Sequence, residues 1–268
     1  MEDLSKSLYS LPERMRNQFE QSLANNKGVL DLTSHPIYGD QLNEVPHCLI
    51  EVNAFRSIDL SGNKITSLPA WLNSLSSVQN INITDNPITE VDASLSLNLS
   101  IDSKQWLHMK DNLVNCNIVG FTLLPEDKEH FPDITAQPFY PSLKELSMNG
   151  CEMTDWPTSW PEQLQRINLN SNQLSDWPTS WPEQLQRINL NSNQLSDWPT
   201  SWPEQLQHID LASNQLSDWP TSWPEQLQRI DLDNNQLSDW PERETTRLNS
   251  RHVASSRMPS PGRQQTRH

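Results

Sequence analysis

Residues 156–176 read WPTSWPEQLQRINLNSNQLSD, and residues 177–239 repeat that string three more times with few changes. A unit this short cannot bury an apolar face by itself, so its copies must stack and share a core. Within it Ile167 and Leu169 alternate with Arg166, Asn168 and Asn170, the period of a short strand with aliphatic side chains inward and polar ones outward. Asn172 stands just past the strand, where the chain must turn and leave backbone groups without partners. A buried carboxamide can satisfy donors and acceptors there, and Leu174 then re-enters the core. The return leg, DWPTSWPEQ, holds two prolines and so is no long helix; polyproline or a short 3₁₀ turn fits it. Its paired tryptophans, such as Trp156 with Trp160, are expected to stack coil on coil as two aromatic ladders. The rival reading of those rings is a sugar-binding stripe.

With the asparagine as anchor, Asn172, Asn193, Asn214 and Asn235 mark the regular coils. One step earlier, Leu143, Leu146, Met148 and Met153 fit with Cys151 in the asparagine slot. Phe55, Ile58, Leu60, Asn63 and Ile65 form another unit, followed by Val78, Ile81, Ile83, Asn86 and Ile88. Weaker matches run through Leu107, Met109, Asn112 and Val114, and through Leu30, Leu32, His35 and Ile37. The expectation is about nine coils across residues 28–241, with 113–141 an irregular insertion or one badly degenerate coil. Ahead of them, Pro12 can open a helix in which Met15, Phe19 and Leu23 recur on one face. Residues 1–27 are therefore expected to cap the first coil, a membrane- or partner-binding helix being the alternative. Residues 242–268 are rich in Arg, Ser, Pro and Gln, lack acidic residues after Glu244, and are expected to form a disordered basic tail.

A formal net charge of −15 and a pI near 4.8 argue against nucleic acid or an anionic membrane as the main partner. The hydrophobic fraction is 34% and the mean hydropathy −0.72, yet the apolar residues keep strict positions, and pattern outweighs average. Cys48, Cys116 and Cys151 are odd in number and far apart, so no disulfide framework or zinc knot is expected, and a reducing compartment is. The N-terminus lacks an apolar signal-peptide core and no window reaches the length of a membrane span. Neither the general secretory route nor membrane insertion is expected.

The spacing Leu-x-x-Ile-x-Leu-x-x-Asn-x-Leu in four tandem copies identifies the chain as a member of the leucine-rich-repeat class. The unit length and the leg DWPTSWPEQL resemble the short bacterial type, whose outer leg reads like LPxLPxxL. Tryptophan here replaces those leucines, in Trp156-Pro157 and Trp160-Pro161 and their copies. Members of that type include the YopM and IpaH-like effectors delivered into host cells, and Legionella also has leucine-rich-repeat effectors. The resemblance spans residues 28–241. It implies a solenoid with a helical cap, a curved parallel β-sheet on the concave face, extended or 3₁₀ segments on the convex face, and recognition of a host protein by the concave face. It also implies a protein kept in the bacterial cytoplasm until a specialised system secretes it into the host cell. The IpaH-like ubiquitin-ligase activity is not carried over, because its cysteine nucleophile has no counterpart beyond Cys151.

Outward strand positions supply the candidate binding residues. One column runs through Glu145, Arg166, Arg187, His208 and Arg229, a second through Ser147, Asn168, Asn189, Asp210 and Asp231, and a third ends at Asp233. Arginine forks would pair with a partner's carboxylates, and the aspartates would prefer a basic segment. Asp59, Asn82 and Lys110 hold outward positions in the earlier, more individual coils, where specific contact is expected to gather. The stacked outer Asp and Glu columns place single carboxylates one coil apart, short of the converging oxygens calcium takes, so no metal is expected. No cofactor is expected either. Nucleotide-loop, metalloprotease and nucleophile-elbow motifs are missing, and Cys116 with His130 is the one pair that could serve an atypical enzyme. The leading expectation is a monomeric, non-enzymatic protein-binding scaffold. The alternatives are a structural or self-associating repeat protein and an enzyme acting through residues 113–141.

Overall fold

The computed structural model describes residues 8–25, 28–34, 37, 39–51, 54–113 and 115–238. They belong to two compact units that divide after Leu143. Of the expectations above, His35, Val114 and the basic tail lie outside the described residues.

The first unit opens with helix α1 (Glu13–Asn25), which Pro12 starts by accepting the Arg16 N–H at 2.9 Å. Met15 and Phe19 turn inward; Phe19 meets Phe55 edge to face at 5.5 Å, and the helix packs on the first strand as a cap. Arg14 ties it down by pairing with Asp40 and bonding the Thr33 carbonyl. Among the described residues seven strands follow: β1 (Val29–Asp31), β2 (Ser57–Asp59), β3 (Ser67–Leu68), β4 (Asn80–Asn82), β5 (Glu90–Val91), β6 (Asn98–Asp102) and β7 (Asn117–Thr122). β1, β2, β4, β6 and β7 pair in that order as a parallel sheet, with Leu30, Ile58, Ile81 and Leu99 in register and buried. β3 and β5 pair on the return side, which also carries 3₁₀ turns at His47–Glu51 and Ala70–Ser74.

The asparagine ladder works as its chemistry requires. Asn63 donates to Leu32 O (3.0 Å) in the coil before and to Leu60 O (2.8 Å) in its own, and accepts the Leu42 N–H (2.9 Å). Asn86 repeats the pattern on Leu60, Ile83 and Ile65. The next coil departs from the sequence reading. Leu107 and Met109 are not strand residues; they lie in helix α2 (Ser103–Met109), and the strand of that coil is β6. Asp102 caps α2 in a reciprocal capping box with Gln105. Gln105 then takes over the ladder, donating to Ile83 O at 2.6 Å and Asn86 O at 3.2 Å. A helical residue stands farther from the turn than Asn does, so the longer amide fits. The stretch from 113 to 142 holds β7, helix α3 (Phe131–Thr135) and 3₁₀ turns at Pro125–His130 and Tyr140–Ser142. β7 joins β6 through a register shift at Leu99/Ser100, and Gly120 lies so close that a Cβ there would sit 2.3 Å from Ser100 Oγ.

The second unit is regular. Strands β8 (Glu145–Ser147), β9 (Arg166–Asn168), β10 (Arg187–Asn189), β11 (His208–Asp210) and β12 (Arg229–Asp231) pair in sequence as a parallel sheet, each residue opposite its counterpart one unit on. Leu169, Leu190 and Leu211 are fully buried beneath them. Asn193 bonds Leu169 O (3.0 Å), Leu190 O (3.1 Å) and the Leu174 N–H (3.0 Å), and Asn172, Asn214 and Asn235 do the same in their coils. In this slot Cys151 is buried and its thiol donates to Asn149 O at 3.7 Å. The return legs are extended, with one turn in which Leu164 N–H bonds Pro161 O at 3.2 Å, repeated in each copy.

The tryptophans knit these legs together. Trp156 Nε1 donates to Asp176 O (2.7 Å), Trp177 to Asp197 O (2.8 Å) and Trp198 to Asp218 O (2.6 Å). Trp160, Trp181 and Trp202 likewise donate to the Ser180, Ser201 and Ser222 carbonyls of the following coil. The rings also cross between the two files: Trp156 meets Trp181 at 5.6 Å and Trp177 meets Trp202 at 5.7 Å, both edge to face. The two expected ladders are thus one interlocked zigzag.

Candidate protein-binding face

The outward strand residues of the second unit form the columns expected of them, but the two columns differ in kind. In the second, Oδ1 of Asn168, Asn189, Asp210 and Asp231 accepts the backbone N–H two residues on, at 2.9–3.1 Å. Asp59 and Asn82 make the same bond to the Ser61 and Thr84 N–H groups, and Asn82 Nδ2 also reaches Asp59 Oδ1 at 3.1 Å. These side chains close the turn that ends each strand, a task Asn and Asp perform equally well. The drift from Asn to Asp along the array therefore has a backbone explanation and calls for no basic partner. Asp233, whose N–H closes the last of these turns, keeps a buried Oδ1 without a hydrogen bond.

The first column is different, since its side chains have no such backbone duty. Arg166 pairs with Glu145 at 2.6 Å, both about half exposed, an interaction worth under about 1 kcal/mol. Arg187 and Arg229 form no ion pair among the described residues, and His208 lies between them in register. Partial burial first, then the Arg187 and Arg229 charges, hold the His208 pKa below its ordinary value. Three neighbouring strands thus present two guanidiniums without an ion pair and, between them, an imidazole biased toward its neutral form.

Lys110 does not belong to any strand column. It follows α2 as its C-terminal cap, with Nζ 5.4 Å from the Trp106 ring centre. The imagined thiol–imidazole pair fares no better. Cys116 donates to Leu95 O at 3.6 Å and burial raises its pKa, the reverse of an activated thiolate, while His130 sits beside Glu129 and Asp133. Among the described residues no group of three or more His, Cys, Asp or Glu side chains is placed to hold a metal ion. No helix among them is long and apolar enough to cross a membrane.

The family pattern described as Leucine Rich Repeat matches residues 54–75, the coil built on β2. No curated protein matches the chain by sequence. Solved structures that resemble it include a leucine-rich-repeat protein of Leptospira interrogans (22% identity, TM-score 0.45, covering 78% of this chain and 55% of that one). Human 5T4, also called trophoblast glycoprotein, aligns at 18% identity and TM-score 0.37 over 78% of this chain and 77% of its own. The functional domain of InlJ from Listeria monocytogenes aligns at 16% identity and TM-score 0.40, over 80% and 46%. The chain thus spans about half of each of the two bacterial structures. With parallel strands one repeat apart, an amide ladder beneath them, 3₁₀ and extended return legs and an N-terminal capping helix, the chain has the leucine-rich-repeat solenoid fold.

Proposed function

We propose that the chain is a bacterial effector that enters a host cell and binds a host protein through the outward strand face of residues 144–238. The observation that carries the binding reading is the Arg187–His208–Arg229 column. A chain of net charge −15 keeps two guanidiniums there that form no ion pair among the described residues, where the strand backbone demands neither. Fixed on neighbouring strands, they favour an acidic partner segment whose carboxylates each take a bidentate fork. The effector reading is supported by the repeat length and Trp-Pro outer leg, which resemble the short bacterial repeats. The protein acts as a monomer and without chemistry of its own.

A photo-crosslinking amino acid at position 187, in protein expressed inside host cells, tests the face. A discrete adduct that disappears with Arg229→Glu supports it; a smear unchanged by that substitution removes the column from the site. Delivery is tested separately, with an enzymatic reporter fused to the chain and read inside infected cells.

A further inference from the structure

The return legs of the second unit carry a second surface. Each leg has an exposed Asp before its first tryptophan and an exposed Glu after its second, as with Asp176 and Glu183, and no Lys or Arg. The cations of the described residues in this unit are Lys144 and the strand arginines Arg166, Arg187 and Arg229. No ion pair joins any of the return-leg carboxylates among the described residues. Between the carboxylates lie half-buried indoles whose N–H groups, from Trp156 to Trp202, are already spent on backbone carbonyls. What remains for a ligand is ring surface beside negative charge.

That combination selects among ligands. Six of the seven neighbouring indole pairs are tilted 56–74° and one, Trp202 with Trp223, lies near parallel at 18°, so coplanar surface extends over two rings and not along the face, and the donors sugar hydroxyls would want, from Trp156 to Trp202, are used. Uniform acidity repels an anionic membrane and a second copy of the same face. A guanidinium suits it well: it is flat, lies against indole, and donates to a carboxylate in its own plane. Residues 245–268 of this chain contain Arg247, Arg251, Arg257, Arg263 and Arg267 and no acidic residue. The stretch that separates them from the last described coil, 239–244, is short. Four legs span about 15 Å at one strand spacing per coil, against a contour of about 80 Å for a segment of that length. A tether of this kind gives an effective concentration of about millimolar, so weak individual contacts suffice. At the same end, Trp223 Nε1 is buried without a hydrogen-bond partner, where each earlier counterpart donates to a carbonyl of the next coil.

We propose that the Trp-Pro face of the second unit binds arginine-rich peptide, and that its resident ligand is this chain's own 245–268 segment. The face is then masked in the resting protein and open to competing arginine-rich segments. The proposal does not depend on the strand-face reading, which concerns other residues.

Acrylamide quenching of tryptophan fluorescence in the full chain tests it, since eight of the eleven tryptophans lie on these legs. Changing the five tail arginines to glutamate should raise the quenching constant about twofold at low salt, and about 1 M salt should raise the wild type to the same level. A synthetic 245–268 peptide should restore protection to that variant, and should fail once Asp176, Glu183, Asp197 and Glu204 are changed to their amides. Five Arg→Lys changes should lose part of the protection, because lysine lacks the planar fork. Equal quenching of wild type and charge-reversed chain overturns the proposal, as does peptide protection indifferent to the amide changes. Protection that falls on dilution, with a dimer by light scattering, would assign the face to a second copy and overturn the intramolecular form.

Discussion

The coils before residue 143 and those after it answer the same hydrogen-bonding demand in different ways. The later coils repeat one answer, an Asn amide below the strand and an indole N–H on the return leg. The earlier ones improvise: Asn63 and Asn86 serve two coils, Gln105 on a capped helix serves another, and Ser103 Oγ accepts the Leu124 N–H while donating to Asp127. Repetition makes a surface regular, whereas improvisation makes it individual and ties each residue to particular neighbours. A substitution that is generic in the later coils should be specific in the earlier ones.

The sharpest test compares the two amides. Asn193→Ala leaves the Leu174 N–H unpaired in the core and takes one of two amide donors from each of the Leu169 and Leu190 carbonyls, and should cost about 3 kcal/mol in urea unfolding. Gln105→Ala should cost about 2–3 kcal/mol by the same measurement, since it takes one of two donors from each of the Ile83 and Asn86 carbonyls and removes half of a capping box. A loss under about 0.5 kcal/mol at Gln105 would break the equivalence. Gly120→Ala should cost about 2–3 kcal/mol, and pairing it with Ser100→Gly should recover most of that, because the clash is with one side chain. No such suppressor is expected among the later strands, which keep a plain register.

In the regular coils, Trp202→Ala should cost about 2 kcal/mol, less than a fully buried ring would. Trp202→Phe should cost about 1 kcal/mol, the ring packing surviving and the bond to Ser222 O lost. Equal losses would mean that the N–H, and not the ring, joins the coils. The smallest effect concerns pH. The His208 pKa is lowered in the folded chain, so the unfolded chain takes up a proton first as pH falls through about 6.5. The wild type should therefore lose stability relative to His208→Gln between about pH 7.5 and pH 5.5, read as a shift in the urea midpoint. Parallel curves would show that Arg187 and Arg229 do not press on the imidazole.

Where sequence spelled the repeat out, strands, ladder and core followed from spacing alone. Between residues 98 and 112 they did not, for a physical reason. No asparagine follows this strand; in SIDSKQ an Asp cap and a glutamine one helical turn later do the same work. A capping signature, Asp with Gln three residues on, was there to be read. The candidate face was legible as columns but not as roles. Nothing in Asn168 or Asp231 announces an accepted backbone N–H, because that depends on turn geometry. Lys110 was misplaced along with the coil it was assigned to.

The indole bonds run one way, from each coil to the carbonyl of the next. An array of any length therefore has one terminal coil whose indole must find an acceptor outside the repeat, and never more than one. Duplicating or deleting a whole unit moves that loose end without multiplying it. Recombination between copies would thus change the reach of the protein while leaving its terminus chemically the same, which makes length the property most easily varied in this molecule.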